Sequence, residues 1–209
     1  MDYRFKDIYI NILPGFNVLL FVLVLLCLCG WNNDLLRLCK SMQGEVAVLT
    51  LPFVCLLIGY FVNGTASIFE RRYYKKYHRR RKAYEVMIME NVDKDSISNH
   101  QEFCSMLHMI KDAIPPDAKY EEYYVHYAQA RNMLCSEVLL AVIIGFWITL
   151  CWHRICSNGV EKIIFVLLLF HVLYTCLLFK VYHRHYDRYD EYTVKTGLEI
   201  ISNNTTRNQ

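Results

Sequence analysis

Asn63, Glu137 and His171 stand in stretches of sequence otherwise fit for hydrocarbon. A carboxamide, a carboxylate and an imidazole are costly in such surroundings unless paired, so each is a functional candidate by default. Brought onto one facing surface, they would line or gate a pore, or pass a proton. The plainer expectation is hydrogen bonding between helices.

The second feature able to do chemistry is Arg71–Lys82, RRYYKKYHRRRK. It carries eight cations in twelve residues and no acid: Arg71, Arg72, Lys75, Lys76, Arg79, Arg80, Arg81 and Lys82. Cations beside a bilayer hold anionic headgroups at ~1 kcal/mol each. Arg interleaved with Tyr also suits phosphate contact and base stacking. The segment therefore reads as an anion or partner site, for headgroups, for a nucleotide or nucleic acid, or for a protein. Arg72 to His78 resembles the Arg-then-His spacing of some RNA-cleaving helical domains, but basic segments produce such matches readily. No nucleophile–base pair, Gly-rich phosphate loop, CxxC or zinc-type Cys/His spacing accompanies it. The chain is read as non-enzymatic, with no catalytic residue, no cofactor and no metal.

These residues must be held by elements, and the hydropathy pattern names them. Of the 209 residues, 55% are hydrophobic and 21% charged, which excludes a disordered tail and a small disulfide scaffold. A bilayer core takes about 20 apolar residues as helix. Four stretches qualify: Ile8–Trp31, Val46–Phe69, Leu134–Trp152 and Ile163–Phe179. None alternates at period two, as a barrel strand would. The first lacks a small-x-small cleavage site before bulky Trp31 and reads as a retained anchor. The fold class is all-α: an integral membrane protein of four spans in two hairpins, with cytoplasmic helical extensions. The expected divisions are 1–69, 70–133, 134–179 and 180–209.

Charge sets the expected orientation. With those spans, nineteen Lys and Arg fall on one side and four on the other, twelve of the nineteen in 70–133. The positive-inside rule puts both ends and the central segment in the cytoplasm, and Trp31 and Trp152 at the outer interface. In a bacterium this is the inner membrane. Cys39 and Cys156 lie in the two outer loops, open to bridging if that side is oxidising and otherwise free thiols.

The cytoplasmic segments carry tyrosine at helical spacing. Tyr73, Tyr77 and Tyr84 form one stripe, Tyr120, Tyr123, Tyr124 and Tyr127 with Arg131 a second, and Tyr182, Tyr186 and Tyr189 with Thr193 a third. Phe103, Met106, Leu107 and Ile110 mark a short amphipathic helix ended by Pro115–Pro116, after a polar loop NVDKDSISNHQ. These elements predict a helical bundle with Tyr–Tyr seams. Gly59, Gly64 and Gly145 permit close helix approach. Pro14–Gly15 is expected to end an interfacial segment, Tyr3–Ile12, before the true span.

The opening Ile12–Leu13–Pro14–Gly15–Phe16, the run from Leu57–Ile58–Gly59–Tyr60 to Glu70, and the basic Tyr-rich tail resemble small four-span proteins of bacteria. The resemblance is especially to those of the Bacteroides group, some of which accompany CRISPR or other phage-defence genes. It implies an accessory or effector that modulates a cytoplasmic immune partner, or perturbs the membrane when triggered. It supplies no catalytic residue. Two readings follow. One is a membrane accessory whose cytoplasmic helices bind a protein or nucleic-acid partner. The other is an oligomeric channel or pore, since four spans seldom enclose a pathway alone. A homo-oligomer in contact with anionic lipid is expected in either.

Overall fold

The computed structural model describes residues 3–28, 33, 37, 44–76, 83, 86–87, 100–115, 118–157 and 159–207. Five helices organise them: α1 (Tyr3–Leu28), α2 (Gly44–Lys76), α3 (His100–Asp112), α4 (Ala118–Ser157) and α5 (Glu161–Arg207). No strand occurs among the described residues. All but α3 are long and apolar enough to cross a membrane. The 47 residues of α5 make a rod of about 70 Å, against a bilayer core of about 30 Å. Its charged stretch from Lys180 onward therefore extends beyond any span that Ile163–Phe179 could make.

The chain divides into two compact units. The apolar unit is Met1–Phe69 with Ala128–Val181, and the tyrosine-rich unit is Glu70–Tyr127 with Tyr182–Gln209.

In the apolar unit, Val18 and Leu25 of α1 pack with Val62 and Ala66 of α2 and with Cys135, Leu140 and Ile144 of α4. The outward residues are apolar as well: Phe61, Phe146 and Phe165 are 68%, 65% and 69% exposed. Such a surface is stable in lipid and a liability in water. Helices α1 and α2 meet backbone to backbone. A Cβ on Gly15 would strike the Cys55 carbonyl, and one on Gly59 the Asn11 carbonyl. Glycine is required at both positions because the helices are closer than any side chain allows. Gly64 and Gly145 have open space beside them and serve no such contact.

The expected break at Pro14 does not occur, for α1 continues through it. Proline removes the N–H that would reach the Ile10 carbonyl and crowds that carbonyl with its ring, but buried Ile10 and Val18 anchor the helix on either side. Gly15 belongs to the crossing with α2 and not to a helix end.

Helix α4 stops at a glycine cap. Gly159 takes φ 64°, its N–H donates to the Cys156 carbonyl (3.3 Å), and the Val160 N–H donates to that of Ile155 (3.4 Å). This is the Schellman arrangement, which needs a left-handed residue at the first position past the helix.

The tyrosine-rich unit has its own core. Phe103, Leu107 and Ile110 of α3 are buried with Ala83, Val86, Met87 and Val194, and Met106 packs partly buried at the edge. Gly197 of α5 lets the two helices close, since a Cβ there would lie within 3 Å of Ile110. The polar run 91–99 and the side chains of Tyr73, Tyr77 and Tyr84 lie outside the described residues.

Two of the tyrosine stripes, on α4 and α5, interlock. Tyr127 stacks on Tyr189 with ring centroids 5.2 Å apart and planes 3° apart, and meets Tyr186 at 5.5 Å. Tyr123 meets Tyr192 at 5.0 Å. The Tyr120 and Tyr189 hydroxyls share a hydrogen bond of 2.8 Å. Glu70 accepts hydrogen bonds from the hydroxyls of Tyr127 and, at 3.4 Å, Tyr182. Lys111 lies 5.1 Å over the Tyr189 ring. Tyrosine suits this seam because its ring packs like a hydrophobe while its hydroxyl still needs a partner.

Candidate functional site

Two groups of polar residues join helices within the apolar unit. The first joins three helices. Glu137 of α4 is wholly buried and His171 of α5 nearly so, and Glu137 Oε2 lies 2.7 Å from His171 Nδ1. The contact is a close polar pair. Asn17 of α1 donates its carboxamide N–H to the other carboxylate oxygen, Oε1, and lies 3.2 Å from Ser136 Oγ. Ser136 in turn donates to the Met133 carbonyl at 2.7 Å. Phe21 closes the far side, its ring edge-on to His171 with centroids 5.7 Å apart.

The second is at Asn63. Its side-chain oxygen accepts from Arg131 Nη2, and the same guanidinium reaches Asn132 Oδ1 at 3.3 Å from Nε and from Nη2. The two hydroxyls beside Asn63 on α2 turn back on their own helix, Thr65 to the Phe61 carbonyl and Ser67 to that of Asn63.

Glu137 and His171 are thus brought together, and Asn63 is not part of their cluster. Asn17 and Ser136 were not anticipated as members, and Arg131 was expected only as part of the stripe on α4. The available signal for Asn17 was the same as for Asn63, a carboxamide inside an apolar run.

Such a cluster ties α1, α4 and α5 together, since its members meet polar atoms that would otherwise face an apolar interior alone. A small hollow beside Phe21, Leu25, Ile144 and Leu168 is lined by apolar side chains alone.

Of the basic segment, Arg71, Arg72, Lys75 and Lys76 belong to the last turns of α2, and Arg79, Arg80, Arg81 and Lys82 lie outside the described residues. Cys27, Cys55, Cys135, Cys151, Cys156 and Cys176 are free thiols, and Cys39 lies outside the described residues. Among the described residues, no three His, Cys, Asp or Glu side chains converge as a metal set.

No family model matches the chain, and no curated protein or solved structure matches it.

Proposed function

We propose that this is a non-enzymatic, four-span membrane accessory protein whose cytoplasmic helices dock a protein or nucleic-acid partner, in a bacterial antiviral setting. Its inner-membrane orientation follows the cation count, with both ends of the chain and 70–133 in the cytoplasm. Trp152, 57% exposed at the end of the third span, suits an interfacial belt at the outer face.

One observation carries the choice over a pore. The polar residues that a conducting path would need are engaged inside one chain, Glu137 with His171 and Asn17, and Asn63 with Arg131. That leaves the tyrosine-rich unit, with a core of its own, as the part free to serve a partner. The basic run of 71–82 adds a means of gripping phosphate.

The test uses purified full-length chain in liposomes. The bilayer should stay tight to ions, and a labelled single-stranded oligonucleotide should bind from the cytoplasmic face with an affinity that falls with salt. Neutralising Arg79, Arg80 and Arg81 together should abolish that binding. Binding that survives the triple change at several salt concentrations would reduce the basic run to a membrane anchor. Ion leakage from particles of defined mass would turn the assignment to an oligomeric channel.

A further inference from the structure

Within the tyrosine-rich unit, His126 of α4 and His185 of α5 stack with ring centroids 5.5 Å apart and planes inclined by 26°. Their charged surroundings are lopsided. Arg184 and Arg188 flank His185 on α5. The opposing charge from α4 is Glu122, whose Oε1 is 3.8 Å from His126 Nε2. With side-chain exposures of 70% for Glu122 and 48% for His126, that attraction is screened by solvent. Two neutral imidazoles pack well in this position. A proton on His185 sets a cation against the His126 ring and beside two guanidiniums.

We propose that the His126–His185 pair is a pH-sensitive latch between α4 and α5 in this unit, closed while the imidazoles are neutral and loosened as His185 takes up a proton. It stands whether or not the unit serves a partner, because every group it uses lies within the unit itself. Burial first, and then His126, Arg188 and Arg184, hold the His185 imidazole below the ordinary value of 6.5. The unfolded chain therefore takes up this proton more readily than the folded one. The stabilisation is complete above the ordinary value and is lost as the pH falls below it. Mild acidification would therefore loosen the seam.

The experiment is a histidine titration of the full chain in lipid nanodiscs, read by NMR of ¹³C-labelled imidazoles, with melting curves in parallel. In the wild type His185 should titrate at lower pH than in His126→Gln. The wild type should also lose melting temperature between about pH 7.5 and pH 5.5, and His185→Phe, which keeps a stacking ring but cannot be protonated, should lose much of that dependence. A His185 midpoint unmoved by His126→Gln would overturn the latch. So would a His185→Phe protein that melts with the wild-type pH dependence. If His185→Phe does not fold, the His126→Gln titration decides alone.

Discussion

His171 Nδ1 lies 2.7 Å from Glu137 Oε2, on a neighbouring helix and inside an apolar interior. Removing one member strands the other. Glu137→Ala or His171→Ala should therefore destabilise the protein by about 3–5 kcal/mol, read as a loss of melting temperature in micelles. Glu137→Gln should cost less. Its carboxamide oxygen can still accept from Asn17, and its N–H₂ can donate to a neutral His171. The double change Glu137→Leu with His171→Phe should recover much of the loss, as apolar replacements of buried pairs often do. Single variants indistinguishable from wild type would mean that the pair does not bind these helices together.

The glycines make a sharper comparison, because the same substitution is predicted to act oppositely at different sites. Gly15→Ala and Gly59→Ala force the α1–α2 crossing apart and should cost about 1–3 kcal/mol or more. Gly64→Ala and Gly145→Ala meet open space, and as helical positions they should be neutral or slightly stabilising. Equal effects at all four would refute the crossing.

In the tyrosine-rich unit, hydroxyl removal should be graded by partner. Tyr120→Phe loses one neutral hydrogen bond to Tyr189, worth about 1 kcal/mol. Tyr127→Phe loses the bond to the Glu70 carboxylate and should cost about 1.5–3 kcal/mol. Chemical denaturation followed by tyrosine fluorescence would rank them. The reverse order would show that Glu70 is held chiefly by its other contacts.

Gly159→Ala places a Cβ at φ 64° and should cost about 1 kcal/mol, with little change in helix content. Circular dichroism with a melting curve separates the two effects.

The four long helices were legible because twenty apolar residues in a row admit few other structures. The α3 stripe and the tyrosine stripes were legible for a related reason: period 3.6 puts Phe103, Leu107 and Ile110, or Tyr182, Tyr186 and Tyr189, on one side of a helix. Which faces meet is a tertiary fact. Glu137 and His171 could each be marked as costly, but nothing in one sequence joins them, or brings Asn17 to their side. The glycines illustrate the same boundary. All can permit close approach, yet only the placement of a neighbour distinguishes Gly59 from Gly64. At Pro14 local chemistry predicted a stop, and packing on both flanks prevailed.

The glycine cap also bears on how far apart in sequence the members of the buried pair can stand. Helix α4 ends at Ser157 and α5 begins at Glu161, so the two helices are joined by a tight, pre-shaped corner. Glu137 and His171 ride on its two arms. An acid and its imidazole counterpart thus belong to one local stretch of the chain, and the corner at Gly159 turns that short separation in sequence into contact.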